Sequence, residues 1–150
     1  MKTHCVLYFD DERSVAVAFD QVPGGPGVMT AHAISIDWNT SSEEIYASIL
    51  ECLNQSNIMS ADSFDKREKE EGQKILQSVF KTLEVTSWKA LIERYKNLGL
   101  SYDTESHVFT FSPTYRSEGS YFPFTNEETS FTDDPETFSD ALKRAMANCA

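Results

Sequence analysis

Period-two alternation dominates both ends of this chain, and helical spacing dominates its middle. Residues 4–9 and 14–20 are short runs rich in Val, Ala and aromatic side chains, split by the acidic tetrapeptide Asp10-Asp11-Glu12-Arg13; they predict a β-hairpin. Residues 21–30 contain Pro23-Gly24-Gly25-Pro26-Gly27 and predict a loop. That loop lacks a Gly-Lys-Ser/Thr ending and opens no helix, so it does not read as a phosphate cradle. Residues 31–38 predict a third strand, with Ile34, Ile36 and Trp38 on one side.

The middle of the chain opens with a capping box. Ser41-Ser42-Glu43-Glu44 marks a helix start, and Ile45, Ile49, Leu50 and Leu53 continue it as one apolar stripe. Residues 63–83 are helical in two unlike halves: a mixed-charge stretch over 65–71, then Ile75, Leu76, Val79, Phe80 and Leu83 on one face. A third helix starts near Thr86 or Ser87 and aligns Trp88, Leu91, Ile92 and Tyr95, with Asn97 or Gly99 as its stop. On that stripe Trp88 is expected to be a buried core residue.

Strands return after residue 100. Residues 100–102 and 107–111 flank Asp103-Thr104-Glu105-Ser106 as a second hairpin. Residues 121–124 predict another strand, which Pro123 confines to an edge or bulge. Asp134-Pro135-Glu136 then announces a final helix burying Phe138, Ala141, Leu142, Ala145, Met146 and Cys149. Strands, helices, strands, helix is a segregated order. It predicts an α+β fold in one domain over residues 1–150, with a mostly antiparallel sheet from the two end thirds packed against about four helices.

Charge adds what periodicity cannot. The chain has 150 residues, 13 Lys plus Arg, 24 Asp plus Glu and a net charge of −11. Such a surface repels phosphate backbones and anionic lipid and suits a basic protein partner, so neither nucleic acid nor membrane is expected as a direct ligand. The charge is uneven: residues 1–61 carry eight acids against two bases, 62–96 seven against eight, and 97–150 nine against three. Many of the acids fall in turns, including Asp10, Asp11, Glu12, Asp103, Glu105, Glu118, Glu127, Glu128, Asp133 and Asp134. If the two ends pair into one sheet, several of these turns would crowd one rim as an acidic binding face. The competing reading is that the charge serves solubility alone.

Motifs for chemistry are sparse. Cys5, Cys52 and Cys149 are odd in number, without CxxC spacing, and set among apolar neighbours, so they read as buried thiols in a reducing cytoplasm. The N-terminal segment is too short and too soon interrupted for a signal sequence, and no apolar run has the length of a spanning helix. His4, His32 and His107 lie in or beside predicted strands rather than in a nucleophile elbow, and no Gly-x-Ser-x-Gly occurs. HExxH and EF-hand patterns are also missing, so no catalytic residue, metal or cofactor is assigned.

Several segments together resemble bacterial contact-dependent growth-inhibition immunity proteins: the hairpin Tyr8-Phe9-Asp10-Asp11-Glu12-Arg13-Ser14-Val15, the helix start Ser42-Glu43-Glu44-Ile45, Ser87-Trp88-Lys89-Ala90-Leu91, Ser112-Pro113-Thr114-Tyr115 with aromatics after it, and the short C-terminal helix near Leu142. The resemblance lies in the layout along most of the chain. It implies a non-catalytic cytoplasmic protein, monomeric in a 1:1 complex, that binds and blocks the C-terminal toxin domain of a cell-surface effector. It also implies that the toxin is a nuclease, acting on RNA, and nucleases are commonly basic. The charge pattern, not the resemblance, singles out Asp10, Asp11, Glu12, Asp103 and Glu105 as partner contacts, with Asp133 and Asp134 engaged in capping. The alternatives are a small hydrolase or transferase without a recognisable motif, and an adaptor or chaperone-like module for a basic protein.

Overall fold

The computed structural model of the protein describes residues 1–25, 27–124, 128–131 and 134–150. Its strands are β1 (Lys2–Phe9), β2 (Ser14–Gln21), β3 (Gly27–Ser35), β4 (Lys96–Asp103), β5 (Val108–Ser117), β6 (Ser120–Pro123) and β7 (Glu128–Phe131). They form one antiparallel sheet in the order β3-β2-β1-β4-β5-β6, and β7 pairs with the half of β5 that β6 leaves open. The helices are α1 (Ser42–Asn54), α2 (Ala61–Glu70), α3 (Gly72–Leu83), α4 (Trp88–Arg94) and α5 (Pro135–Ala147). This is the α+β arrangement expected from the order of elements. Five helices replace about four because the stretch over residues 63–83 breaks at Glu71, whose φ of −131° leaves the helical range.

The two sheet faces are covered unequally. On one face α1 and α5 lay Ile45, Ile49, Leu53, Phe138 and Leu142 on Leu7, Ala16, Leu98, Phe109 and Phe111. On the other, α3 and α4 press Val79, Phe80, Leu83 and Leu91 on Tyr8, Val15 and Val17. That second layer stops over β1. Beyond it the same face presents Gly99, Ser101, Thr110 and Ser112, small residues of intermediate exposure, to solvent.

Local chemistry sets the element boundaries. Ser41 accepts from the Glu44 N–H and Ser87 from the Ala90 N–H, while Asp134 accepts from the Glu136 N–H and Thr137 hydroxyl behind Pro135. Asp134 is therefore a cap, as expected, whereas Asp133 and Glu127 lie outside the described residues. Cys5, Cys52 and Cys149 are free and buried. The loop after β2 is shorter than the expected 21–30, because β3 begins at Gly27 and its Val28 is buried against the sheet. The third strand correspondingly ends at Ser35, although Ile36 and Trp38 still pack into the α1/α5 core.

Two expectations around α4 are corrected. The helix stops at Arg94, not at Asn97 or Gly99: Tyr95 turns extended and donates its buried hydroxyl to Leu83 O at 2.8 Å, and Lys96 already pairs with Phe9. The Arg116 guanidinium meets the last carbonyls, Ile92 O and Glu93 O, from β5, so a cation serves where a left-handed cap was expected. Trp88 is 47% exposed rather than buried: within this seven-residue helix Leu91 is the buried side chain, with Ala90 and Ile92 partly buried beside it. Trp88 stands one turn earlier, edge-on to Phe80 at 5.4 Å.

Stability should follow that division. Phe109→Ala, at the centre of the aromatic cluster with Tyr46, Phe111 and Phe138, is expected to cost about 3–5 kcal/mol in urea unfolding. Trp88→Ala is expected to cost only about 1 kcal/mol, the scale of one edge-to-face aromatic contact. A larger loss for Trp88 than for Phe109 would contradict the observed packing.

Candidate partner-binding surface

A carboxylate in a tight turn has backbone N–H groups close by, and this decides how free it is. In the β1–β2 turn, Asp10 Oδ1 accepts from the Glu12 and Arg13 N–H groups at 2.9 and 2.7 Å, while Oδ2 faces Arg94 Nε at 3.2 Å. Burial works against the Asp10 anion, but those two N–H donors and the Arg94 guanidinium outweigh it and hold the carboxyl below its ordinary range. Arg13 pairs with Glu84 at 3.1 Å and donates to Thr82 O, tying the turn to the end of α3. Asp11 and Glu12 are exposed.

Asp103 repeats the device in the β4–β5 turn. Its Oδ1 accepts from the Glu105 N–H at 2.9 Å, and hydrogen bonds from Glu105 and Ser106 hold its carboxyl low. Glu105 is exposed, with its carboxylate 3.7 Å from the Met1 amine. These turns do not crowd one rim. β1 and β4 are antiparallel, with Phe9 opposite Lys96 and Lys2 opposite Asp103, so the turn after Phe9 and the turn after Asp103 leave opposite ends of the sheet. Eight paired positions separate them by roughly 25 Å.

The Asp10 end is mixed in charge rather than acidic. A shallow cleft there is lined by Phe9, Asp10, Asp11, Arg94, Lys96 and Arg116. The acidic segment and the cationic ones come from distant parts of the sequence, and the sheet brings them together. Among the described residues no three His, Cys, Asp or Glu side chains converge as a metal group, and no helix is long and apolar enough to cross a membrane.

Aromatic exposure points elsewhere. Tyr115 and Phe122, 36% and 38% exposed, stack at 5.7 Å on the β5–β6 hairpin, and Phe124 joins Tyr115 at 4.9 Å. Trp88 borders a second surface feature, a cleft of about 340 Å³ between β3 and the α2–α3 junction. Exposed aromatic groups of this kind anchor protein interfaces. The stripe of 88, 91, 92 and 95 is apolar throughout and by itself predicts a core position for Trp88. The available signal was its position directly after the Ser87 cap, at the outer end of a very short helix.

No protein-family model matches the chain, and no curated protein matches it. Solved structures do. The chain is similar over its full length to a protein of unknown function from Neisseria meningitidis, at 14% identity and a TM-score of 0.78 over 96% of that chain. It is similar, again over its full length, to a chain of the CdiA-CT/CdiI toxin and immunity complex from Yersinia pseudotuberculosis, at 11% identity and a TM-score of 0.72 over 98% of that chain. At these identities the likeness is one of fold.

The Asp10 geometry sets a pH signature. A carboxyl lowered by folding stabilises the protein above its unfolded pKa of about 4, and this contribution disappears as pH falls through the lowered folded value. Asp10→Asn is expected to lose no more than about 1 kcal/mol at pH 7, the ceiling for a solvent-screened pair. The gap from wild type should close as pH falls below about 4 in unfolding titrations. A gap that stays constant as the carboxyl protonates would show the charge of Asp10 to be irrelevant to the turn.

Proposed function

We propose that this protein is an immunity protein: it binds and neutralises the C-terminal toxin domain of a contact-dependent growth-inhibition effector, in the cytoplasm and as a 1:1 complex. The observation that carries the reading is the likeness of fold to a chain of a toxin and immunity complex, over all of this chain and 98% of that one. The charge of −11 supports the reading of this chain as the acidic inhibitor of such a pair, with a basic toxin as its partner. A nuclease is the toxin class that such a charge fits best, since a nuclease must itself hold phosphates, and we take RNA as its substrate. The role asked of this chain is occlusion, not catalysis.

An inhibitor of a catalytic toxin needs nanomolar affinity or better, about −12 kcal/mol. A standard interface of roughly 800 Å² per partner supplies that when a few anchors are well packed. Carboxylates then act mainly on the encounter rate. Asp10, Asp11, Glu12, Asp103 and Glu105 are proposed as partner contacts in that sense. Asp11, Glu12 and Glu105 offer exposed carboxylates, whereas Asp10 and Asp103 each spend an oxygen on their own turn. Because the two turns lie at opposite ends, both can touch one partner only if it spans the length of the sheet; otherwise one of them steers from a distance.

The test is binding to the domain encoded at the end of the effector gene directly upstream. An equimolar amount of this protein should abolish that domain's RNA cleavage. The association rate should fall steeply from low to high salt, and neutralising the five carboxylates should flatten the dependence. Intact RNA cleavage in the presence of excess protein would refute the proposal. A rate indifferent to salt and to the five substitutions would leave their charge to solubility.

A further inference from the structure

The cleft beside Trp88 has one charged side chain among its described lining residues. Phe19, Met29, Phe64, Leu76 and Trp88 make its walls, and Glu68 of α2 supplies the carboxylate. Most of the cations near α2 in sequence cannot reach Glu68 along the helix. Its neighbours at three and four positions are Asp65, Glu71, Phe64 and Gly72, so no intrahelical ion pair forms. The adjacent Arg67 is engaged by other groups, its guanidinium 2.5 Å from Asp20 and donating to Met29 O. Among the described residues Glu68 has neither an ion-pair nor a hydrogen-bond partner.

Gly72 fixes where that carboxylate lies. A Cβ built at Gly72 would sit 2.9 Å from Glu68 Oε2, so the carboxylate occupies the space a side chain would take at the head of α3. A solvent-exposed carboxylate without a partner, resting beside Gly72 on the lining of an apolar and aromatic cleft, is complementary to one kind of group. That group is a cation on an aliphatic stem: the stem lies on Phe64, Leu76 and Met29, and the head meets Glu68 and the face of an exposed indole.

We propose that this cleft receives a single arginine or lysine side chain of the bound toxin domain. The inference rests on the immunity reading for the identity of the partner. It assigns Trp88 and Glu68 as the specific anchor and leaves the acidic turns to steering. The net charge makes a basic partner the complementary one, and the size of the cleft, about 340 Å³, admits one long side chain and not a helix or strand.

Three variants test it against the upstream-encoded toxin domain by equilibrium titration. Glu68→Gln and Trp88→Ala should each weaken the complex about tenfold or more, the scale of one desolvated cation contact. Gly72→Ala should weaken it by pushing the carboxylate out of the notch, while keeping or raising the melting temperature, since Ala favours the helix. Glu71→Gln, whose side chain does not line the cleft, should leave affinity unchanged. If the complex forms and all three cleft variants bind as wild type, the inference is overturned and the immunity reading stands.

A wild-type protein that ignores the toxin domain overturns the immunity reading instead, and a second arm still reads the cleft. The indole N–H resonance of Trp88 is followed while acetyl-Gly-Arg-Gly-amide, or its uncharged citrulline counterpart, is added. A saturable shift with the arginine peptide alone, lost in Glu68→Gln, supports a cation receptor. An equal response to both peptides removes it.

Discussion

Eight residues of β1 pair with eight of β4 across nearly a hundred positions of sequence, from Lys2 opposite Asp103 to Phe9 opposite Lys96. This ladder joins the β1–β2–β3 unit to the β4–β5 unit. Its inward residues, Leu7, Leu98 and Leu100, hold the α1/α5 core, while Tyr8 holds the α3/α4 core. A one-residue slip would turn each of these to the wrong face, so the register is fixed by burial on both sides. The same register sends the two acidic turns to opposite ends.

Unequal helical cover follows from chain economy. After β3, α1 covers one face, and the chain then crosses back through α2, α3 and α4 before entering β4. That second layer reaches Tyr8 and Val17 but not Gly99, Ser101 or Ser112, where the outward residues are small and polar. The covered part carries the apolar surface and the uncovered part does not. Trp88 marks the border of this layer: it is large, half exposed and attached to a helix too short to bury it.

The electrostatics divide in a similar way. Among the described residues six acidic side chains are spent within the protein: Asp10 on Arg94, Asp20 on Arg67, Glu84 on Arg13, Glu93 on Lys89, Glu128 on Arg144 and Glu105 on the Met1 amine. The Asp20–Arg67 pair is the most buried and pins α2 to β2. Net charge by itself therefore overstates the local field at the Asp10 turn, where cations from α4, β4 and β5 gather. Glu68, one acid in a near-neutral helical stretch, is an exposed carboxylate without a partner among the described residues, set on the lining of the cleft beside Trp88.

Local signals were enough for much of this protein. The caps at Ser41, Ser87 and Asp134, the two acidic hairpin turns, the edge position of Pro123 and the α+β order are properties of short segments whose physics is contained in neighbouring residues. β7 carries no signal of its own in the sequence, because a four-residue strand shows its nature only when paired with β5. The partner site was less legible than the fold. Sequence identified which residues are acidic and where turns place them, but not that Arg94, eighty-four positions away, neutralises Asp10. Nor could a helical stripe reveal that Trp88 overshoots the sheet, or that Gly72 leaves room for Glu68 beside it. Those outcomes depend on distances between segments remote along the chain, which only the packed sheet and its two helical layers determine.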